Sequence, residues 1–82
     1  MIEIVLPEEA WEGVDANVEG LVDQWLVSEG DRVVAGQPVV RVVLIKTNYE
    51  VAAPADGIVE QILVPKDDTF ARRRPLAVLR EV

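Results

Sequence analysis

The sequence predicts an all-β domain, a sandwich or flattened barrel built from two similar halves. Half of the 82 residues are apolar, and they form runs of about four to eight residues separated by Gly, Pro, Asp and Asn, a pattern typical of strands. Residues 20–27 read Gly-Leu-Val-Asp-Gln-Trp-Leu-Val, and residues 57–64 read Gly-Ile-Val-Glu-Gln-Ile-Leu-Val. Two copies of a repeat are too few for a solenoid. The halves are therefore expected to bury their faces against each other about a pseudo-two-fold axis.

The predicted strands follow the chain in the order of its apolar runs. They are residues 2–6, 20–27, 38–45, 48–53, 57–64 and 75–81, with shorter pieces at 32–34 and 69–71. The segment Pro7–Asn17 departs from this pattern, because Pro7 suits the first turn of a helix and acidic residues follow it. We expect either a short helical turn or a surface loop there.

Glycine and tryptophan residues give the sequence further expectations about turns and packing. Gly20, Gly30, Gly36 and Gly57 are expected to be turn residues with positive φ. Trp25 is expected to pack against the core. Trp11 is expected either to pack in the same way or to contact a partner.

Composition excludes several classes of function. The chain has no cysteine and no histidine, so it lacks a thiolate nucleophile, an imidazole base and the usual zinc ligands. A single non-catalytic domain over residues 1–82, without a metal site, is therefore predicted. The net charge of −7 argues against nucleic acid as a partner, and Arg72–Arg74 is interpreted as a solvated loop. No apolar run approaches the ~20 residues of a membrane span and no signal peptide is evident, so a monomeric cytoplasmic domain is expected, without a membrane partner.

One lysine lies between two predicted strands. Lys46, Thr47 and Asn48 lie between the apolar run Val39–Ile45 and the run Tyr49–Ala53, and so short a connection predicts a tight hairpin. Asn48 is expected to supply the left-handed conformation that such a turn needs. A lysine amine can anchor an acyl group through an amide, whereas arginine cannot do so usefully. A turn lysine is usually just a solvated residue, so its function has to be inferred from its neighbours.

Those neighbours resemble the motifs of the biotinyl/lipoyl attachment domain family. Residues 18–33 read Val-Glu-Gly-Leu-Val-Asp-Gln-Trp-Leu-Val-Ser-Glu-Gly-Asp-Arg-Val, similar to the family's Glu-Gly, its Trp-containing strand and its Glu-Gly-Asp-x-Val. Residues 50–57 read Glu-Val-Ala-Ala-Pro-Ala-Asp-Gly, similar to the Glu-Val-x-Ala-Pro-x-x-Gly that follows the modified lysine. The resemblance covers residues 18–80 and is nearest to lipoyl domains of 2-oxo acid dehydrogenase acyltransferases. It implies a flattened barrel of two four-stranded sheets and aligns Lys46 with the modified lysine.

The resemblance also implies a function. A lipoate ligase or a lipoyl/octanoyl transferase would join lipoate to Lys46 through an amide, and the swinging arm would carry acyl groups or electrons between partner enzymes of a dehydrogenase complex. Ile45 and Thr47 are expected to take part in recognition. They differ from the Asp-Lys-Ala of most lipoyl domains and from the Met-Lys-Met of biotinyl domains. Two alternatives remain open: a biotin carboxyl carrier, and an unmodified β-barrel domain that binds partners through its edges.

Overall fold

The computed structural model describes all residues 1–82 and contains eight short strands in two four-stranded antiparallel sheets. The predicted all-β class and the eight predicted strands are confirmed, with ends within two residues of the predicted ranges. In chain order the strands are β1 (Ile2–Ile4), β2 (Gly20–Trp25), β3 (Arg32–Val33), β4 (Pro38–Leu44), β5 (Thr47–Ala52), β6 (Gly57–Ile62), β7 (Thr69–Phe70) and β8 (Ala77–Arg80).

The segment between β1 and β2 contains the one helical element. It is a 3₁₀ turn over Glu8–Trp11, so of the two structures expected for this segment the short helical turn is the one present. The turn buries Trp11 and exposes its acidic residues. No helix in the structure has the length and apolar character needed to cross a membrane.

The two sheets are related by the predicted pseudo-two-fold symmetry. Their strand orders are β1-β8-β6-β3 and β5-β4-β2-β7, and the same order results when each strand is exchanged for its counterpart in the other half. The β-bulges repeat as well, since one lies between Val22 and Gln24 and the other between Val59 and Gln61. Strands β3 and β7 each pair with a strand of the opposite half, which ties the halves together. The sheets do not pair with each other, so the molecule is a sandwich and not a closed barrel.

The core between the sheets consists of apolar residues. It has no buried polar or charged residue, and alternation along the strands sends residues such as Val40, Val42 and Leu44 inward. Trp11 is 2% exposed and packs edge-on against Phe70, with ring centroids 6.1 Å apart. This contact decides between the two expectations for Trp11 in favour of packing. The buried residues are Ile4, Leu6, Trp11, Val22, Val33, Val39, Val40, Val42, Leu44, Val51, Ala53, Val59, Val64, Phe70, Leu76, Ala77 and Leu79.

Trp25 packs at the margin of the same core. Its side chain is partly buried, and its indole Nε1 donates a hydrogen bond to the carbonyl oxygen of Val64 at 2.9 Å. The expected packing of Trp25 is therefore confirmed. The hydrogen bond gives its polar edge a partner at a site 39 residues away in sequence.

The expectation that all four glycines have positive φ is half right. Gly30 and Gly36 have φ of +91° and +86°. Gly20 and Gly57 begin strands instead, and they are glycine because of close packing. A Cβ on Gly20 would run into the ring of Phe70, and one on Gly57 would lie 2.7 Å from the carbonyl oxygen of Arg80.

The second half places larger residues in the left-handed turns. The counterparts of Gly30 and Gly36, 37 residues later, are Asp67 with φ +72° and Arg73 with φ +70°. Only glycine adopts this region without a steric cost. The two halves therefore share one backbone but differ in the residues chosen for the same turns.

Candidate attachment site

Lys46 occupies the tip of the β4–β5 hairpin. Leu44 pairs with Thr47 across the hairpin, so Ile45 and Lys46 alone form the connecting turn. Lys46 is exposed, and its amine takes part in none of the ion pairs or side-chain hydrogen bonds of the structure. The geometry expected of an attachment lysine is present: the amine projects into solvent from a two-residue turn.

The turn does not use Asn48 as expected. Asn48 is the second residue of β5, and the left-handed residue is Ile45, with φ +60°. A positive φ at the first of two turn residues alone is the φ pattern of a type II′ hairpin turn, where glycine is usual. The prediction was wrong because the connection is one residue nearer the N-terminus than the apolar runs suggested, so Asn48 lies within the strand.

The two flanking residues are both accessible beside the lysine. Ile45 is 62% exposed, although it is a large apolar residue, and Thr47 is exposed on the other side. The next residue inward, Leu44, is buried in the core at 2% exposure. A surface that approaches the Lys46 amine would therefore meet Ile45 and Thr47.

The hairpin beneath the lysine is fixed to the core. Strands β4 and β5 pair at six positions between Pro38–Ala52 and Leu44–Thr47. Their inward residues Val42, Leu44 and Val51 are buried. On the outer face Arg41 and Glu50 form an ion pair at 3.1 Å. A group attached at Lys46 would start from a well-defined point on the molecule.

Neither of the two surface depressions of the molecule includes Lys46. One, of about 270 Å³, lies on the outer face of β4 and β5, and the other, of about 530 Å³, lies between the edges of β1 and β5. Both are shallow and open. The site can present a reactive amine, but it cannot enclose a cofactor or a substrate.

An arginine cluster near one end of the molecule was predicted only as a solvated loop. Glu8, in the 3₁₀ turn, accepts hydrogen bonds from Arg72 Nη2 at 2.7 Å and from Arg73 Nε at 2.9 Å. These two guanidinium groups lower the pKa of the Glu8 carboxyl. The arginines are exposed, as expected, but the ion pairs join segments 64 and 65 residues apart. No local sequence pattern predicts that contact.

An exposed amine on a hairpin anchored to the core, in a small β-sandwich without an enclosing pocket, is the arrangement that a covalent carrier domain requires. A family model described as "Biotin-requiring enzyme", the Biotin_lipoyl family, matches residues 12–79. The chain therefore belongs to the biotinyl/lipoyl domain family, as its sequence motifs indicated.

Relatives distinguish between the branches of this family. The dihydrolipoyllysine-residue succinyltransferase component of the 2-oxoglutarate dehydrogenase complex of Staphylococcus saprophyticus is 31% identical over 99% of the chain. The acetyltransferase component of the pyruvate dehydrogenase complex of Corynebacterium glutamicum is 37% identical over 62% of the chain. The chain spans only 18% and 8% of these two relatives.

A solved structure agrees with this assignment. The lipoyl domain of the 2-oxoglutarate dehydrogenase complex of Azotobacter vinelandii superposes with a TM-score of 0.78 and 27% identity, covering 99% of this chain and 98% of that domain. These relatives favour the lipoyl type over both the biotin carrier and the unmodified domain. The chain is a carrier domain of the lipoyl type.

Proposed function

We propose that the Lys46 amine carries a lipoyl group through an amide bond. We also propose that the domain moves acyl groups and electrons between active sites of a 2-oxo acid dehydrogenase complex. The observation that supports this most strongly is the position of Lys46, exposed and unpaired in a two-residue turn, in a chain that family and relatives assign to the lipoyl type. The domain itself performs no catalytic step in this proposal.

The role of Lys46 is that of a nucleophile for another enzyme. Its Nζ would form a bond to the carbonyl carbon of an activated acyl group, and the activating group would leave. A lipoate ligase or a lipoyl/octanoyl transferase would have to remove a proton from the ammonium group first. The exposed turn gives the base of such an enzyme free access to Nζ.

The role of the remaining structure is to hold the starting point of the arm. When attached, lipoate supplies the acyl-carrying and electron-carrying chemistry. The hairpin anchored by Leu44 fixes one end of the arm and leaves the other free to reach separate sites. Tethering replaces free diffusion with a local concentration in the millimolar range.

Ile45 and Thr47 are proposed as recognition residues for the attaching enzyme. Such an enzyme has to reach Nζ itself, whereas the enzymes that use the far end of the arm can remain farther away. Because the pair differs from the usual Asp and Ala, the attaching enzyme should accept an apolar residue before the lysine. The monomeric state and the cytoplasmic location predicted from the sequence are part of the same proposal.

In vitro attachment tests the proposal. Incubated with lipoate ligase, ATP and lipoate, the protein is expected to gain one lipoyl group, and Lys46→Arg is expected to gain none, because arginine keeps the charge without a comparable nucleophile. Mass spectrometry of the intact protein and of its peptides measures both results.

Lys66, the one other lysine of the chain, is the internal control for this experiment. It lies outside the hairpin, beside Asp67 at 3.7 Å. Modification of both lysines would show exposure without recognition and contradict the proposal. Modification of Lys46 by biotin ligase and not by lipoate ligase would favour the biotin carrier.

A further inference from the structure

The arginine turn, defined as Arg72–Arg74, lies at the same end of the molecule as Lys46. Strands β4 and β7 both run antiparallel to β2, so they point in the same direction and end on the same side of the sheet. Gly20 pairs with Phe70, the last residue of β7. One residue further along, Leu21 pairs with Val43, next to Leu44, the last residue of β4. The chain therefore leaves β4 toward Lys46 and leaves β7 toward the arginine turn at one end.

The strand ends that lead to Lys46 and to the arginine turn lie close together. Neighbouring strands lie about 4.8 Å apart, and β2 is the one strand between β4 and β7, so the two strand ends are roughly 10 Å apart. A lysine stem extended by an acyl chain is longer than this separation. The free end of an arm on Lys46 can therefore reach the end of β7, where the arginine turn begins.

The fold does not require arginine in this turn. The same turn in the first half is Ala35-Gly36-Gln37, which is neutral and has glycine at the left-handed position. In the second half Arg73 adopts φ +70° at that position, at a steric cost that glycine avoids. The two halves thus form the same kind of turn with different sequences, and only the turn at the Lys46 end carries charge.

The arginine turn has an excess of positive charge. Glu8 is the one carboxylate paired with it, and Arg72 and Arg73 share that carboxylate. Arg74 takes part in no ion pair. This local excess lies in a chain of net charge −7. A carboxylate is the ligand that the planar guanidinium fork fits best among the groups of common acyl chains.

We propose that the arginine turn binds the carboxylate of a dicarboxylic acyl group carried on the Lys46 arm. This inference rests on the proposed function, since it needs an arm at Lys46. Exposed guanidinium–carboxylate pairs are individually weak. The arginine turn would therefore bind a carboxylate that a tether holds nearby at millimolar local concentration. Arg74 offers the free guanidinium, and Glu8 holds the other two in place. The domain would then favour acyl groups that end in a carboxylate.

The test uses a chemically attached arm and no lipoate ligase. The chain contains no cysteine, so the Lys46→Cys variant has one thiol, which can be alkylated with a chain ending in a ¹³C-labelled carboxylate. A matched chain ends in the methyl ester. Because exposed ion pairs contribute ~0.2–1 kcal/mol, the titration midpoint of the tethered carboxyl should fall by about 0.1–0.7 pH units below that of the free reagent at low salt. Carbon NMR measures this midpoint.

Three charge variants decide the outcome. In the alkylated protein, Arg74→Gln should move the midpoint back toward that of the free reagent, whereas Glu8→Gln should lower it further by releasing two guanidinium groups. Arg32→Gln is the matched control, because Arg32 is also exposed and forms no ion pair, but it lies at the end of the molecule away from Lys46. There Arg32, the first residue of β3, pairs with Ile58, which in turn pairs with Arg80 of β8. Arg32→Gln should leave the midpoint nearly unchanged.

The result that would overturn the inference is a midpoint equal to that of the free reagent, or equal shifts in Arg74→Gln and Arg32→Gln. The arginine Nε–H resonances provide a second readout, since they should respond to the carboxylate arm and not to the ester arm. A turn that served only an acidic partner surface would respond to neither, which would also overturn the inference. Lipoylation of Lys46 is measured separately, so its failure is distinguishable from failure of this site.

Discussion

At the scale of single residues, Ile45 has a backbone conformation that is unfavourable for a β-branched residue. A left-handed conformation costs a β-branched residue about 1–2 kcal/mol, and Ile45 recovers little of this by burial because it is 62% exposed. Glycine would form the same turn without strain. Residues that break a local rule without a gain in packing are expected at functional sites. The conformation of Ile45 thus agrees with its proposed role in recognition beside Lys46.

Replacing Ile45 should therefore make the domain more stable. Ile45→Gly removes the steric cost but increases the freedom of the unfolded chain, so a net gain of about 0.5–1 kcal/mol in the free energy of unfolding is expected. Ile45→Val keeps the branched side chain and should give no gain. Urea unfolding of the two variants measures the difference, and a loss of stability in Ile45→Gly would show that the side chain makes contacts that this structure does not contain.

At the scale of elements, the 3₁₀ turn and the arginine turn act as one unit. Glu8 bridges Arg72 and Arg73, and three residues later Trp11 packs against Phe70 at the end of β7. The long β1–β2 connection is thus attached to the Lys46 end by a polar contact outside and an aromatic contact inside. Its counterpart in the second half is a connection of four residues between β5 and β6, which has no such elements.

The ion pairs of Glu8 predict how stability depends on pH. Because the arginines lower the pKa of Glu8 below its usual 4.5, the folded state holds its proton less tightly than the unfolded state. The contribution of Glu8 is therefore present above pH 4.5 and is lost as the pH falls through the lower folded-state value. The wild type should be more stable than Glu8→Gln at neutral pH, and the two should converge in acid.

The control for this pH experiment is Glu9→Gln, because Glu9 is exposed in the same turn and forms no ion pair. The advantage of Glu8 should also decrease with added salt, since its pairs are exposed. Thermal unfolding at several pH values measures both effects. A stability difference between wild type and Glu8→Gln that stays constant down to low pH would contradict the assignment.

The elements also show how far the sequence could be interpreted alone. Short apolar runs and the repeat predicted eight strands and the two-fold relation, because alternation and turn residues act locally. The contacts of Gly20 and Glu8 were not predictable from such local patterns. Gly20 is required by the ring of Phe70, and Glu8 meets arginines more than 60 residues away. Such contacts depend on how the sheets pack, which no local pattern records.

The hairpin shows the same limit at the candidate site itself. The sequence motifs identified Lys46 and placed it in a tight turn, but they assigned the left-handed residue to Asn48. The structure places it at Ile45, since the strand pairing begins at Leu44 and Thr47. A shift of one residue in the pairing decides which side chain bears the strain, and apolar runs define strand ends only to within a few residues.

At the scale of the whole molecule, the structure separates a rigid support from the group it would present. The core holds 17 buried apolar residues and no buried polar or charged residue, so every charged side chain lies at the surface. The repeat gives the two ends of the molecule similar backbone structures, whereas the side chains at the two ends differ. Lys46, the 3₁₀ turn and the arginine turn all lie at one end, where a partner enzyme or an attached arm would meet them.

Attachment of lipoate to Lys46 can be measured directly from the mass of the chain purified from the organism that makes it. We expect the peptide that contains Lys46 to carry one lipoyl group and the peptide that contains Lys66 to be unmodified. Tandem mass spectrometry locates the group on the residue. A biotinyl group at Lys46, or a chain whose Lys46 is unmodified throughout, would contradict the claim that this domain is a lipoyl carrier.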